Sequence, residues 1–320
     1  MENIQVKTES FSVKPPVKKS FLKRHGYKKE DVVWGLIFGG IPVLGVLFFT
    51  FVPAIMALSM SLLDMPKFFS FEGASFALTD AGAPFANFIE VITDHSFWGA
   101  LKNNLILILS VPITIAISIL CAELLSKNLV GTKVYKVILF IPHVCSVTAT
   151  TLMWQWVFDV NYGVINQIIG FRHDWLGADN LMWTIVIMTV WSSTGYRILL
   201  FTAAITNVNA SLKESAQLDG ANFFQVFWHI TIPAITPTIF YVLVMGTIGS
   251  LQEFSRIQVI SATAKDGLCL TPVFYIYNEA FGYANVGVAC AASFVLTAII
   301  FVLTRLNFYF SKKWVSYDVA

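Results

Sequence analysis

The sequence predicts an all-α, polytopic membrane protein with six transmembrane helices. Hydrophobic residues make up 56% of the 320-residue chain and charged residues only 12%, a composition that excludes a soluble enzyme. A helix needs about 20 apolar residues to cross a bilayer, and five or six runs reach that length. We place six predicted spans, numbered 1 to 6, at residues 32–60, 99–125, 134–158, 182–206, 234–261 and 285–310.

Predicted span 1 contains residues that interrupt regular helices. Gly39, Gly40, Pro42 and Pro53 all fall within it. Proline lacks the backbone N–H that an α-helix uses, and its ring clashes with the preceding turn. We therefore expect a kinked or tilted first transmembrane helix over residues 31–62.

The lysines and arginines predict the orientation of the chain. Residues 1–30 carry eight of them and no apolar run, which indicates a basic cytoplasmic arm and not a cleaved signal peptide. In a six-span chain, the cations of the 2–3 loop, the 4–5 loop and the C-terminal end fall on this same side. The opposite loops hold few cations, namely Lys67, Arg172 and Lys265. We therefore expect both termini in the cytoplasm, an extracytoplasmic loop at residues 63–98 and a cytoplasmic tail at residues 311–320.

A polar stretch between predicted spans 4 and 5 carries a spaced motif. Glu-Ser-Ala at residues 214–216 is followed after three residues by Gly220, and after nine more by Ile-Thr-Ile-Pro at residues 230–233. This spacing resembles the EAA loop of bacterial ABC-importer permeases, which reads E-A-A, three residues, G, nine residues, I-x-L-P. Ser215 and Ile232 are conservative departures. In that family the loop forms a short cytoplasmic helix that docks in a cleft of an ATPase subunit. The resemblance implies that the loop at residues 207–233 couples the chain to an ATPase through Lys213, Glu214, Ser215, Ala216, Asp219, Gly220, Ala221 and Pro233.

The residue pattern of the same loop independently predicts a helix that begins at Ser211. Apolar side chains can lie along one broad face and charged ones along the other, while Gly220 would bend the helix or admit another backbone. The alternative is an interfacial helix that rests on lipid headgroups without a partner, but such a helix does not need this spacing of Glu, Gly and Pro. The predicted apolar face contains Leu212, Ala216, Phe223, Phe224, Phe227 and Trp228.

Other segments narrow the resemblance to one branch of the family. Residues 87–104, Phe-Ile-Pro at 140–142, residues 154–166 and Asp-Trp-Leu-Gly at 174–177 resemble carbohydrate-type permeases for maltose, glycerol phosphate or multiple sugars. Residues 262–267 depart from that branch, which commonly has a Gly-Gly-Pro turn there. The resemblance implies a type I ABC-importer permease fold, with a core at residues 99–310 that contains five transmembrane helices and the 207–233 loop.

The resemblance also implies partners and a location. It implies a second permease subunit, two copies of a cytoplasmic ATPase subunit, an extracytoplasmic solute-binding protein and a sugar substrate, in a multi-pass arrangement within the lipid of the cell membrane. The sequence contains no G-x-x-x-x-G-K-[ST] motif, so we expect no cofactor on this chain, with ATP and Mg on the ATPase. A net charge of +2 is too small to indicate nucleic-acid binding.

Polar residues at membrane depth are costly and indicate function. In one interpretation those of spans 4 and 5 line a translocation cavity, and in maltose-type permeases substrate contacts fall on these parts of the spans. In the other interpretation Arg197, Glu253 and Arg256 form a neutralised cluster that fixes helix packing, with the last two paired on one helix face. Two arginines would suit an acidic or phosphorylated sugar, unless Glu253 cancels one of them. The candidate substrate-pathway residues are Trp191, Tyr196, Arg197, Ser250, Gln252, Glu253 and Arg256, with Tyr196, and Trp191 a turn above it, as faces for a sugar ring.

We expect no catalytic residue and no metal site. The four cysteines are scattered without C-x-x-C spacing and the five histidines are dispersed, so both are interpreted as structural. No nucleophile and base are grouped by helix spacing, which disfavours an intramembrane enzyme. Two alternatives remain: a permease for glycerol phosphate or another polar solute, and an ATP-independent secondary transporter, for which the sequence lacks the expected inverted repeat.

Overall fold

A computed structural model of the chain describes residues 29–64, 75–77, 85–127, 131–261 and 271–316. Nearly all of the basic arm predicted at residues 1–30, residues 65–74 and 78–84 of the predicted 63–98 loop, and the departing segment at 262–267 lie outside the described residues. The chain divides after Ala57 into two compact units.

The first unit contains most of span 1. A helix runs over Lys29–Val46, a π-helical turn over Leu47–Phe51 and a second helix over Val52–Ser61, and Val33–Ser61 together are long and apolar enough to cross a membrane. The π-helical turn directly precedes Pro53, whose ring and missing N–H disturb the regular ladder of the preceding turn. The irregularity expected in span 1 is therefore this turn, and the span continues through it.

Spans 2, 4 and 6 lie close to their predicted limits. Span 2 is His95–Leu125, span 4 is Leu181–Thr206 and span 6 is Val286–Ser311. Span 2 consists of the helices His95–Ile108 and Ser110–Leu125. It begins earlier than predicted, because the Asp94 side chain accepts a hydrogen bond of 2.7 Å from the Ser96 backbone N–H and caps the first turn.

Spans 3 and 5 are interrupted, which the apolar runs at residues 134–158 and 234–261 do not predict. Span 3 consists of the helices Thr132–Val144 and Val147–Val157, which meet at 97° because Cys145 and Ser146 are extended. Span 5 consists of Thr236–Leu251 and Ser255–Ser261. As a whole, Thr236–Ser261 meets the preceding segment Phe223–Ala234 at 65°. The described residues therefore contain four helical segments long and apolar enough to cross a membrane and two bent pairs, which make six spans when each pair is counted as one.

Short elements connect the spans of the second unit. The helices Ala86–Thr93, Val164–Ile169 and Pro272–Tyr277, with a π-helical turn at Asn278–Gly282 after the last, lie in the segments between spans. Strands Leu63–Asp64 and Ser75–Phe76 pair antiparallel, with Leu63 opposite Phe76. Between spans 4 and 5 the chain forms the helix Ala210–Leu218, the helix Phe223–Val226, a π-helical turn Phe227–Thr231 and the short helix Ile232–Ala234.

Spans 2, 4 and 5 form the buried centre of the second unit. Spans 3 and 4 approach so closely at Gly195 that a Cβ atom there would overlap the backbone carbonyl of Leu139. Glycine is required at this crossing because it alone has no side chain to exclude the neighbouring backbone. Two apolar clusters join the three central spans, one containing Leu107, Ile185 and Ile257, the other Val111, Phe201 and Val242.

A polar contact joins the start of span 2 to the segment before span 6. The Tyr275 hydroxyl donates a hydrogen bond of 2.7 Å to Asp94 Oδ2. Burial, and then this hydrogen bond to a carboxylate, raise the pKa of Tyr275 far above its ordinary value. Partial burial opposes ionisation of Asp94, but the hydrogen bonds from Tyr275 and Ser96 outweigh it and lower the pKa of Asp94.

Candidate functional site

The 207–233 loop folds as two short helices that are separated by a turn. Asn209 accepts a hydrogen bond from the Ser211 backbone N–H at 3.0 Å and begins the first helix, Ala210–Leu218. Asn222 and Gln225 form a reciprocal capping box that begins the second helix. Gly220 has a φ of +88°, a left-handed conformation that favours glycine and ends the first helix. The single amphipathic helix predicted from Ser211 through Trp228 is therefore wrong, because the chain ends its first helix before Gly220 and starts a second one at Phe223.

Seven of the eight predicted coupling residues lie together on this protrusion. Lys213 to Ala216 belong to the first helix, and Asp219 to Ala221 form the turn after it. Pro233 lies apart, half-buried at the base of span 5. The first helix has no buried residue.

Large apolar side chains on the protrusion are open to the surroundings. Leu218 is 89% exposed, Phe224 69% and Trp228 61%. Within the second unit, the Lys127 ammonium at the end of span 2 lies 4.0 Å from the centre of the Phe223 ring, a cation–π contact that ties the second helix to span 2. The loop therefore combines an anchored base with an exposed, partly apolar tip.

A cavity of about 460 Å³ opens between spans 3, 4 and 5. Five of the seven predicted substrate-pathway residues line it: Tyr196 and Arg197 of span 4, and Ser250, Glu253 and Arg256 of span 5. These five residues, chosen from the polar positions of spans 4 and 5, therefore lie around one cavity. Whether they bind a substrate stays a prediction.

Trp191 and Gln252 do not line this cavity. Trp191 lies edge-on against Trp154, with ring centres 5.4 Å apart. It precedes Tyr196 by five residues, which places it about 140° around the helix. Gln252 follows the last residue of the helix Thr236–Leu251 and is exposed. The expectation that both lie beside Tyr196 and Ser250 is not met.

Glu253 and Arg256 form an ion pair, but not on a shared helix face. Glu253 lies in the break of span 5, ahead of the helix Ser255–Ser261. Arg256 Nη1 donates to Glu253 Oε2 at 2.5 Å, and Arg256 Nη2 donates to Ser192 Oγ at 2.7 Å. Both charged side chains are therefore satisfied within a network that joins spans 4 and 5.

The break in span 5 is held by side chains from other parts of the chain. The carbonyl groups at the end of an α-helix lack partners within the helix. Here the buried Asn104 of span 2 donates to the Leu251 carbonyl at 3.0 Å, and Thr271 donates to the Glu253 carbonyl at 3.0 Å. These contacts fix the backbone that positions Glu253.

Arg197 stands outside the Glu253–Arg256 network. No described acidic side chain lies within salt-bridge distance of it, and its buried Nη1 atom has no hydrogen-bond partner among the described residues. Its Nη2 atom lies beside Gly246 of span 5 and close to Val111 of span 2. The expectation of one neutralised cluster of Arg197, Glu253 and Arg256 therefore fails for Arg197.

Three further residues at the cavity were not singled out for a site from the sequence. His143 stacks on Tyr196, with ring centres 5.0 Å apart and planes inclined by 16°. Ser192 lies four residues, about one helical turn, before Tyr196, and that spacing is the signal that was missed. Cys145 lies in the break of span 3 and lines the cavity as an exposed free thiol. Only the 97° break brings His143 and Cys145 to this place.

Neither a metal site nor a disulfide is found in the described part of the chain. No group of three or more His, Cys, Asp or Glu side chains there could hold a metal ion. Cys121, Cys145 and Cys290 are free, whereas Cys269 lies outside the described residues.

Comparison with known proteins gives consistent matches. Residues 114–316 match the family model described as binding-protein-dependent transport system inner membrane component. The probable ABC transporter permease protein YesP of Bacillus subtilis is 30% identical over 93% of this chain and 96% of its own length. The sn-glycerol-3-phosphate transport system permease protein UgpA of Agrobacterium fabrum is 28% identical, over 86% of this chain and 93% of its own. The lactose transport system permease protein LacF of Rhizobium radiobacter is also 28% identical, over 91% of this chain and 98% of its own length.

Two solved structures resemble the fold of the chain. One is a bacterial ABC transporter involved in the import of the acidic polysaccharide alginate, whose matching chain has a TM-score of 0.74 at 22% identity and covers 92% of this chain and 98% of its own. The other is the alginate ABC transporter in complex with an alginate pentasaccharide-bound periplasmic protein, with a TM-score of 0.73 at 23% identity over 91% and 96%.

Proposed function

The chain belongs to the family of binding-protein-dependent transport system inner membrane components, and from this premise we propose that it is a permease subunit of an ATP-driven importer for a sugar or oligosaccharide. Relatives over nearly their full length are named as lactose and glycerol-phosphate permeases. A saccharide, or a small polar solute of similar chemistry, agrees with these names and with a cavity of about 460 Å³ whose wall includes charged and hydroxyl-bearing side chains.

One observation carries the proposal: the exposed 207–233 loop joins the two spans that line most of the cavity. The loop begins directly after span 4, which ends at Thr206, and leads into span 5 at Thr236. Because both ends of the loop continue into cavity-lining helices, a force on its tip is transmitted to the walls of the cavity. The exposed Leu218 and Phe224 give that tip an apolar surface for a protein partner.

We assign the partners as follows. Two copies of a cytoplasmic ATPase subunit bind ATP and Mg and hydrolyse the nucleotide, and this chain supplies no catalytic group. The residues Lys213, Glu214, Ser215, Ala216, Asp219, Gly220, Ala221 and Pro233 transmit the movement. A second permease subunit completes the pathway, and an extracytoplasmic binding protein delivers the solute; the alginate transporter is in complex with an alginate pentasaccharide-bound periplasmic protein. Both termini of the chain lie in the cytoplasm.

The mechanism is alternating access. ATP binding closes the ATPase pair and moves the coupling loops together, and spans 3 to 6 rock so that the cavity opens outward. The breaks in spans 3 and 5, at Cys145 and Glu253, border this cavity and provide the points where helices change direction without losing backbone hydrogen bonds elsewhere.

Uptake into proteoliposomes tests the proposal. The complete transporter is reconstituted with its binding protein, and entry of radiolabelled mono- and disaccharides and of glycerol 3-phosphate is measured with ATP, without ATP, and with an ion gradient alone. We expect uptake of a saccharide that requires ATP and the binding protein. Uptake driven by the ion gradient without ATP would instead identify a secondary transporter, and uptake of glycerol 3-phosphate alone would identify the alternative substrate.

A further inference from the structure

We propose that the cavity selects an anionic saccharide, one that carries a carboxylate or phosphate group, and that Arg197 binds this group. The inference rests on the proposed saccharide transport and adds the charge of the substrate. It is based on the charge balance of the cavity wall and on the surroundings of one guanidinium group.

The charged side chains that line the cavity do not cancel. They are Arg197, Arg256 and Glu253, so two positive charges face one negative charge. No other residue that lines the cavity is an aspartate, glutamate, lysine or arginine. The described wall of the cavity therefore carries one positive charge without a counter-ion.

The unbalanced charge belongs to Arg197. Arg256 is paired with Glu253 at 2.5 Å and also bound to Ser192, so this network is complete without a ligand. The Nη1 atom of Arg197 is buried and has no hydrogen-bond partner among the described residues. Its neighbours Val111 and Gly246 offer the guanidinium no charged partner.

A half-buried cation with one buried nitrogen that lacks a partner is costly, particularly at membrane depth. An anionic ligand would remove much of this cost, whereas a neutral sugar would leave the charge unpaired. Guanidinium is also suited to the anions in question, because its planar donors bind carboxylate and phosphate oxygens in pairs. Binding of an anion is therefore favoured over binding of a neutral solute of the same size.

The remainder of the cavity suits a sugar ring. The stacked rings of His143 and Tyr196 present an aromatic face beside Arg197, the residue that follows Tyr196. Ser193 and Thr189 add hydroxyl groups to the wall. A volume of about 460 Å³ falls within the range of small-molecule sites, roughly 300–1,000 Å³. The site therefore combines one anion-binding group with a surface for a polar ring.

Cys145 allows the charge of the cavity to be measured directly. In the complete, detergent-solubilised transporter, Cys121, Cys269 and Cys290 of this chain are replaced by alanine. The reaction measured on this chain is then that of the Cys145 thiol. The rates of its reaction with an anionic and a cationic methanethiosulfonate reagent are compared after division by their rates with a free thiol. We expect the anionic reagent to react about tenfold faster, since a single unpaired charge in surroundings of low dielectric constant attracts it.

Matched variants assign this preference to Arg197. Arg197→Gln should remove the preference for the anionic reagent, whereas Arg197→Lys, which keeps the charge, should retain it. The comparison of the two reagents on the unchanged Arg197 needs no variant at that position, so it is decisive even where Arg197→Gln fails to fold. Equal normalised rates for the two reagents in the complete transporter would overturn the inference. A carboxylate of a partner subunit that neutralises Arg197 would give this result.

Protection of Cys145 from N-ethylmaleimide then tests the saccharide. Glucose, glucuronate and glucose 6-phosphate share one ring and differ at the group on C6. We expect glucuronate or glucose 6-phosphate to protect Cys145 and glucose to fail, with acetate and inorganic phosphate as controls that do not protect. Protection by glucose at the same concentration would overturn the inference and leave the proposed saccharide transport standing, because failure of the latter shows separately as uptake that does not need ATP.

Discussion

The 207–233 loop and the central cavity are assembled over very different distances along the chain. The residues of the loop that match the motif all lie between Lys213 and Pro233, and each short helix has its own capping residue nearby. The cavity instead takes residues from Pro142 to Arg256 and depends on two broken helices. A motif within one short segment can be recognised from residue spacing alone. A site formed by tertiary contacts can be recognised only when the breaks in spans 3 and 5 are known.

We expect the largest effect from a substitution that pushes apart the helices that form the cavity, because the cavity, unlike the loop, depends on their close packing. Gly195→Leu should place a side chain against the backbone of Leu139, which costs more than the roughly 1–3 kcal/mol of ordinary overpacking because backbone cannot move aside as a side chain can. We expect loss of folded, assembled protein, measured by membrane level and by size-exclusion chromatography in detergent. Gly249→Ala is the matched control, because the same cavity leaves open space at that glycine. Normal assembly of Gly195→Leu would contradict the described helix crossing.

We expect the next largest effect on stability from the ion pair at the break of span 5. Glu253→Gln or Arg256→Gln alone leaves an unpaired buried charge, which costs roughly 3–5 kcal/mol. The double replacement should restore much of the stability, measured as thermal unfolding of the purified complex. Saccharide uptake measured in parallel distinguishes the roles, because a double variant that is folded with basal ATPase activity and yet fails to transport would show that the pair also contacts the saccharide. Recovery of uptake together with stability would make the pair purely structural.

The difference between local motifs and tertiary contacts also explains how much of the fold and of the site could be predicted from the sequence. The family, the all-α class and the six spans are confirmed, because apolar length and motif spacing are local properties. The break in span 5 was missed because its carbonyl groups are satisfied by Asn104 and Thr271, which are distant in sequence from Leu251 and Glu253. The choice of Trp191 failed for a simpler reason, since Ser192 is the residue one turn before Tyr196 and forms part of the cavity wall.

The loop should respond to a much smaller local strain. Gly220 has a left-handed backbone, and nothing else in the described chain lies near its missing Cβ position, so Gly220→Leu should cost only about 1–2 kcal/mol locally. We expect normal membrane insertion but a steep fall in transport and in substrate-stimulated ATPase activity, because the tip no longer fits the ATPase. Gly220→Asn, which tolerates the left-handed conformation, should retain most activity. Normal stimulation with Gly220→Leu would refute the docking role.

The smallest expected effect concerns the anchor of the loop on span 2. Lys127→Ala removes the cation over the Phe223 ring, a contact worth about 0.5–1 kcal/mol at an exposed site. We expect a decrease of a few degrees or less in the thermal midpoint of the complex, with transport reduced and not abolished. Phe223→Leu, which removes the ring and keeps apolar bulk, should give a similar decrease. Additive losses in the double variant would show that the two side chains do not interact.

The link between the two regions is the central claim, and Cys145 permits its most direct test. In proteoliposomes that hold the complete transporter, this cavity thiol is labelled from the extracytoplasmic side by an impermeant reagent, with and without vanadate-trapped ATP, after replacement of Cys121, Cys269 and Cys290 by alanine. We expect trapping to raise the labelling rate on the order of tenfold, within the usual range of coupling between distant sites, and Gly220→Leu to abolish this increase. A labelling rate of Cys145 that does not depend on the nucleotide, with Gly220 in place, would contradict the account.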